Sequence, residues 1–343
     1  MKIKIALIII LLAKLGFSQN INQSTLDQYV LKYKSELSGL KRGFDIAVVS
    51  KDKVIYHNQS GGINDDTPIH IASASKWLSG AVIMKLADEG LLSLNDPIKK
   101  FFPKLDGNIA NITVRQLFSH SSGIDGKGTF ELIKMGASSS LAEQAEIILA
   151  KTLAYKPGQV FSYGGESMQV AGRIAEIVSN NNFESLFQDK IAKPLEMKNT
   201  TFTNNNRTPQ VAGGAVSSLQ DYLNFLNMLS HKGIFRGRRI LSETAVSQLL
   251  ANQIGNAEVL YSPFSKYETL FNPPINMKYG IGNWREEDKY GHLKTSSSPG
   301  AFGFTPWIDH ENGYYGIIAT LKSMKEVFPV YLGFRYLLNS QLK

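Results

Sequence analysis

Ser73 and Lys76 are the two residues whose types and spacing most clearly permit chemistry. They lie three residues apart in an apolar stretch, and between Ala72 and Ala87 only Lys76 and Lys85 carry charge. Side chains three apart in a helix lie on the same face. A buried lysine is unfavourable unless it is paired or loses its proton, and a neutral amine can accept the proton of a serine hydroxyl. The pattern predicts an activated serine nucleophile at the start of a buried helix.

The spacing alone also fits a structural explanation, in which a small serine eases helix packing beside a lysine that extends towards solvent. Ser38/Lys41 and Ser50/Lys53 share the spacing, but both pairs stand among polar residues and are interpreted as surface pairs. Ser73 differs because the first turn of a helix offers free N–H groups, which favour a developing negative charge.

The elements that must position this helix follow from the patterns on either side of it. The predicted elements are helices at 22–42 and 327–342, mostly helical chain from 69 to about 233, and strands at 44–49, 53–57, 279–284, 301–308 and 314–321. We expect an α+β fold in which both termini build one antiparallel sheet flanked by helices. A mainly helical second lobe at about 100–270 would complete a single domain over 19–343.

Composition excludes several classes of protein. The 343 residues are 43% hydrophobic with a formal net charge of +8, and the basic residues form no blocks of the kind that bind nucleic acid. The absence of cysteine rules out disulfides, a thiolate nucleophile and Cys-ligated zinc. The six histidines lack the spacing of local metal motifs, and there is no G-x-S-x-G elbow. We expect no metal, no cofactor and no nucleic-acid partner, whereas the oligomeric state is left open.

Ser73 and Lys76 stand within a longer series of motifs, which begins with T-P-I-H-I-A-S-A-S-K at 67–76. The series continues at 91–98, 112–124, 157–163, 194–200, 212–214 and 279–282. In these segments the chain resembles the beta-lactamase-related serine hydrolases, which include penicillin-binding proteins, class C beta-lactamases, DD-peptidases and esterases. The resemblance covers roughly residues 45 to 335. It implies a beta-lactamase/transpeptidase-like fold with Ser73 as the nucleophile and Lys76 in its proton relay.

The resemblance also implies a catalytic tyrosine in a Tyr-x-Asn motif. The matching residues are Tyr163, Gly164 and Gly165, so the tyrosine is present and the asparagine is replaced by glycine. Tyr222 also stands in a Tyr-x-Asn sequence, but it lies within an amphipathic helical pattern and is interpreted as structural. Glu166 is interpreted as a residue of the helix start.

A third motif of the family, Lys-Thr-Gly or His-x-Gly, supplies a substrate-binding cation or hydroxyl and an oxyanion N–H group. Its counterpart here is Lys294-Thr295-Ser296-Ser297, followed by Gly300. By this resemblance Lys294, Thr295 and Gly300 would contact substrate. The N–H groups of Ser73 and Ser297 would hold the oxyanion, with the register at Ser297 open by one residue.

The first eighteen residues have the pattern of an export signal. Lys2 and Lys4 precede an apolar run over Ile5–Ala13, and Gly16-Phe17-Ser18 offers small residues for cleavage. The run is too short to span a bilayer. We expect residues 1–18 to be removed from a periplasmic or secreted protein without a membrane span.

These observations favour an exported serine hydrolase that acts through an acyl-enzyme on a small ester, amide or lactam. The altered second and third motifs favour esterase activity over beta-lactamase or D-amino-acid peptidase activity. Two other hypotheses stay open. One is a non-catalytic module of the same fold that senses a ligand, and the other is hydrolysis by a Ser–His pair that uses His120 or His292.

Overall fold

The computed structural model describes residues 21–38, 43–125, 139–203, 208–268 and 275–342. The export signal predicted for residues 1–18 lies outside these ranges. The strands are β1 (Gly43–Ser50), β2 (Lys53–Gly61), β3 (Ile69–His70), β4 (Val160–Ser162), β5 (Val216–Ser217), β6 (Ile234–Phe235), β7 (Arg238–Arg239), β8 (Glu258–Tyr261), β9 (Asn276–Tyr279), β10 (Trp284–Glu287), β11 (Leu293–Ser297), β12 (Thr305–Asp309) and β13 (Tyr314–Thr320).

Most of the helices lie between the N-terminal hairpin and the C-terminal strands, whereas the first two precede β1 and the last follows β13. They are Gln23–Lys32, Lys34–Leu37, Ser75–Asp88, Gly107–Ala110, Val114–Phe118, Leu141–Leu149, Glu166–Ser179, Phe183–Phe187, Leu219–Ser230, Glu243–Leu250, Ser265–Glu268 and Met324–Gln341. Ala72–Ala74 and Ile98–Lys100 form short 3-10 turns. Within the described ranges, no helix has both the length and the hydropathy that crossing a bilayer requires.

Both ends of the chain build one seven-stranded sheet, in the order β2-β1-β13-β12-β11-β10-β9. Every neighbouring pair is antiparallel, and β1 joins the termini by pairing with β2 on one side and with β13 on the other. All eight residues of β1 are buried. The predicted α+β fold class is therefore confirmed.

Two predicted strands are displaced by glycine turns. Residues 280–283 form the turn between β9 and β10, so the strand expected at 279–284 is wrong. Gly282 has φ +79, and a Cβ there would lie 2.1 Å from the Lys76 carbonyl oxygen. The strand expected at 301–308 starts only at Thr305, because Gly300 and Gly303 close a turn with φ +92 at Gly303.

The Ser75–Asp88 helix forms the centre of the helical part. Every residue from Ser75 to Met84 is buried, as the apolar run predicts. Gly80 in this helix has the Ile281 carbonyl oxygen 2.3 Å from where a Cβ would stand, so the backbone of the β9–β10 turn lies directly against it. The β9–β10 turn therefore holds the first half of this helix, which carries Lys76 and directly follows the turn with Ser73.

Candidate active site

The serine at the centre of the site lies in a strained turn. Ser73 is the middle residue of the 3-10 turn Ala72–Ala74, directly before the Ser75–Asp88 helix. Ala72 has φ +44, a left-handed conformation that side chains other than glycine rarely adopt. Such strain persists only where the surroundings fix the backbone, and it concentrates at functional sites. Ser73 itself keeps partial exposure.

Three hydroxyl groups fix this turn, since each of its carbonyl oxygens accepts a hydrogen bond from a different side chain. The pairs are Ser75 Oγ to Ala72 O at 2.6 Å, Ser298 Oγ to Ser73 O at 3.1 Å and Tyr222 OH to Ala74 O at 2.8 Å. The donors come from the Ser75–Asp88 helix, from the loop after β11 and from the Leu219–Ser230 helix. Parts of the chain far apart in sequence therefore determine where Ser73 lies.

Lys76 is placed to take a proton from Ser73. Its Nζ lies 3.1 Å from Ser73 Oγ and 2.6 Å from the carbonyl oxygen of Ala212. The residue is buried, and within the described part of the chain no carboxylate pairs with its amine. Burial lowers the pKa of Lys76 to about 7, because removal from water disfavours the charged form. A large fraction of Lys76 is therefore neutral near neutral pH and able to act as a base.

Tyr163 lies on the other side of the same pair. It follows β4 directly, and Lys76 Nζ stands 4.8 Å from its ring centroid. Burial raises the pKa of Tyr163 well above its usual value. The side chain is thus a phenol that can donate a proton, and the phenolate form is strongly disfavoured. The structure brings together the three residues that the sequence singled out.

The second position after Tyr163 differs from the family motif. Gly165 presents no side chain where the motif has an asparagine, and Glu166 begins the following helix. Glu166 is buried and forms a 2.7 Å ion pair with Lys151. Its carboxylate thus has a cationic partner other than Lys76.

The third motif is only partly assembled around Ser73. Lys294 Nζ lies 3.2 Å from both carboxylate oxygens of Glu311 on the surface. Thr295 is buried, and its hydroxyl accepts a 2.5 Å hydrogen bond from Arg335. Both side chains are occupied by partners outside the Ser73 site. The substrate contacts of Lys294 and Thr295 therefore stay a prediction.

The residues after Lys294 and Thr295 do reach the Ala72–Ala74 turn that carries Ser73, called the nucleophile turn below. Ser298 N donates to Pro306 O at 3.2 Å, and alternate N–H groups of a strand point to opposite edges. The N–H of Ser297 therefore points away from β12, and its predicted oxyanion role stays a prediction. Gly300 contacts the turn through its backbone, since a Cβ there would lie 2.1 Å from Ile71 O.

The histidines do not form a Ser–His pair. His120 is buried against Tyr163 with ring centroids 4.6 Å apart, and burial together with the charge of Lys76 lowers its pKa well below the usual value. His292 is 77% exposed and pairs with Asp288 at 2.9 Å. Among the described residues, neither imidazole bonds to Ser73. The structure therefore gives the Ser–His hypothesis no support.

Sequence reasoning missed two residues of this site. Tyr222 lies in the amphipathic helix as predicted, but its hydroxyl also holds Ala74 O. Ser298 was not singled out, although its hydroxyl binds the carbonyl of the nucleophile itself. Both contacts join residues more than 140 positions apart, so no local spacing could have indicated them.

Comparison with known proteins agrees with this geometry. The beta-lactamase family model matches residues 37–332, and the chain belongs to that family, which consists generally of serine hydrolases. A crystal structure from Bacteroides dorei, provisionally described as a beta-lactamase, superimposes with a TM-score of 0.82 at 32% identity. That match covers 92% of this chain and 98% of the other.

Two further matches have either lower coverage or lower sequence identity. Protein flp of Staphylococcus aureus (strain MW2) is 32% identical over 177 residues, which are 48% of this chain and 35% of that protein. The chain thus matches about a third of the length of this curated relative. EstCE1, described as a hydrolase with promiscuous acyltransferase activity, superimposes with a TM-score of 0.73 at 18% identity over 93% of this chain and 99% of its own. At that identity the likeness shows the fold alone.

The close approach at Gly300 generates a matched pair of variants. We expect Gly300→Ala to destabilise the protein by about 1–3 kcal/mol, because its Cβ would meet the backbone oxygen of Ile71 at 2.1 Å. Gly213→Ala is the control, since its Cβ would stand 3.8 Å from Ala72 and should change stability by less than about 0.5 kcal/mol. Urea unfolding measures both variants. Equal stability of the two would show that the loop after β11 is not held against the nucleophile turn.

Proposed function

We propose that this chain is an exported serine hydrolase that cleaves small carboxylic esters through an acyl-enzyme on Ser73. The observation that carries the proposal is the 3.1 Å separation between Ser73 Oγ and the buried amine of Lys76. A serine hydroxyl becomes a competent nucleophile when an adjacent base can take its proton. The lowered pKa of Lys76, about 7, supplies such a base near neutral pH.

In the proposed reaction Ser73 Oγ bonds to the carbonyl carbon of the ester while its proton passes to Lys76 Nζ. The carbonyl oxygen becomes an oxyanion, which the N–H groups of Ser73 and Ser297 would hold. The intermediate collapses as the bond to the alkoxy oxygen breaks, and Tyr163 donates the proton with which the alcohol leaves. Lys76 returns its proton to the tyrosine, and water then releases the acid by the same steps.

The preference for esters is argued from what surrounds this relay. Beta-lactam and peptide substrates carry a carboxylate and an amide side chain, which in related enzymes are bound by the third-motif lysine or threonine and by the asparagine of Tyr-x-Asn. Here Lys294 and Thr295 are bound to Glu311 and Arg335, and Gly165 replaces the asparagine. A small neutral ester needs none of these contacts.

The presence of a buried lysine at position 76 favours catalysis over ligand sensing. Lys76 is buried with no carboxylate partner in the described part of the chain, an arrangement that destabilises a folded protein. A domain that only bound a ligand would gain stability from an apolar residue at this position.

A substrate panel tests the proposal. We expect wild-type protein to hydrolyse p-nitrophenyl acetate and butyrate well, a chromogenic cephalosporin weakly and D-Ala-D-Ala peptides poorly. Ser73→Ala should reduce ester hydrolysis by more than about a thousandfold. Ser50→Ala is the matched control, because Ser50 shares the Ser-x-x-Lys spacing but bonds to Gly313 O, and it should retain full activity.

Two outcomes would contradict the ester hydrolase. Rapid cephalosporin turnover without ester cleavage would make the chain a beta-lactamase. A fluorophosphonate adduct on Ser73, detected by mass spectrometry in a protein that hydrolyses no member of the panel, would identify a ligand sensor.

Export is tested separately. When the full chain is expressed in a bacterial host, we expect signal peptidase to remove residues 1–18, leaving Gln19 at the N-terminus of protein outside the cytoplasm. Replacing Ile9 with arginine should block export, because it places a charge in the apolar run that the export machinery recognises. N-terminal sequencing of cell fractions measures both. A wild-type chain that retains Met1 in the cytoplasm would refute this part of the proposal.

A further inference from the structure

Three side chains that could bind a metal converge at the edge of the sheet, outside the Ser73 site. Asp45 lies on β1, His57 lies on β2 and Asp65 lies in the turn that follows β2. His57 stands opposite Ala47 in the β1–β2 register, so Asp45 is its diagonal neighbour on the same face. One atom from each of the three side chains lies within 4.8 Å of the others.

The hydrogen bonding within this cluster is incomplete. His57 Nε2 lies 2.8 Å from Asp45 Oδ1 and 3.4 Å from Asp65 Oδ1, yet that nitrogen carries at most one proton. Asp45 is fully buried, and its Oδ2 has no hydrogen-bond partner in the part of the chain described. Buried polar groups without a partner are rare and require an explanation.

The charges of the cluster are also unbalanced. Two carboxylates face a single imidazole, which contributes at most one positive charge. A cation placed between the three groups would complete both the charge balance and the coordination of Asp45.

The donor types suit a tetrahedral metal, and two of the three distances between ligand atoms are close to those that such a metal needs; the third, between the Asp45 and Asp65 oxygens, is no longer than 4.8 Å. Zn²⁺ binds imidazole nitrogen and carboxylate oxygen at about 2.0–2.2 Å, which separates neighbouring ligand atoms by about 3.3 Å. The 3.4 Å separation between His57 and Asp65 already has this length, and the 2.8 Å separation to Asp45 needs to open by about 0.5 Å. His57 is 37% and Asp65 49% exposed, so water can reach a fourth position.

We propose that Asp45, His57 and Asp65 bind a divalent transition-metal cation, with Zn²⁺ the best match to one imidazole and two carboxylates. The imidazole disfavours Mg²⁺ and Ca²⁺, which prefer oxygen ligands. This proposal does not depend on the ester hydrolase activity, because it rests on groups that take no part in the Ser73 relay.

The expected role of the metal is structural. Asp65 lies four residues before β3, which leads directly into the nucleophile turn, and its carbonyl oxygen accepts a 2.9 Å bond from Gln220 N. Gln220 lies in the first turn of the Leu219–Ser230 helix, whose Tyr222 donates a hydrogen bond to Ala74 O. A metal would attach the N-terminal hairpin to the two segments that position Ser73, so its loss should loosen the fold more than it changes the chemistry.

Zinc binding to untagged, chelator-treated protein tests the proposal. We expect calorimetry to show one equivalent of Zn²⁺ bound per chain and thermal unfolding to shift upwards by several degrees, whereas Mg²⁺ at the same concentration should produce no shift. His57→Gln and Asp65→Asn should each weaken Zn²⁺ binding by more than about tenfold. Both side chains are partly exposed, so these variants are expected to fold, which circular dichroism checks.

The matched control is His292→Gln, which removes the surface pair of His292 with Asp288 and should leave Zn²⁺ binding unchanged. Either of two results would overturn the proposal. One is the absence of stoichiometric Zn²⁺ binding to the wild-type chain. The other is binding that survives unchanged in both His57→Gln and Asp65→Asn.

Discussion

The buried amine of Lys76 is the constraint on which the rest of the site depends. A lysine removed from water disfavours its charged form, and among the described residues the close polar partners of the Lys76 amine are the Ala212 carbonyl and the Ser73 hydroxyl. The same burial that makes this residue unfavourable for folding brings its pKa near neutrality. Burial of Lys76 therefore lowers the stability of the fold and at the same time provides a base beside the nucleophile.

The amine of Lys76 can act as a base only if it is held at hydrogen-bonding distance from the Ser73 hydroxyl. The strained Ala72, the three hydroxyl donors to the turn and the glycine contacts at Gly282 and Gly300 all act on the backbone on either side of Ser73. The residues that make these contacts belong to the sheet and its turns, to the Ser75–Asp88 helix and to the Leu219–Ser230 helix. The antiparallel sheet closed by both termini, together with the helices between them, is therefore what sets the distance between the two reacting atoms.

Sequence reasoning recovered the parts of this arrangement that local pattern encodes. The apolar run around Lys76 predicted a buried helix, and the strand signals at 44–49, 53–57 and 314–321 predicted β1, β2 and β13. The turn at Gly280–Asn283 was predicted as strand because apolar and aromatic residues flank it, whereas the approach of Gly282 to Lys76 O depends on tertiary packing. Contacts between residues distant in sequence could not be predicted from local pattern either. Thr295 bonds to Arg335 and Ser298 to Ser73, and Asp45, His57 and Asp65 come together only through strand pairing.

The most direct test of the account is the dependence of kcat/KM for p-nitrophenyl acetate on pH. Since the neutral form of Lys76 is the base, kcat/KM should rise with pH and reach half its maximum near the lowered pKa of about 7. Lys76→Met should lose more than about tenfold in rate, or about 1.4 kcal/mol of transition-state stabilisation, and should lose this pH dependence. A wild-type profile that is flat through neutrality, or that rises only near the ordinary pKa of lysine, would contradict the central claim.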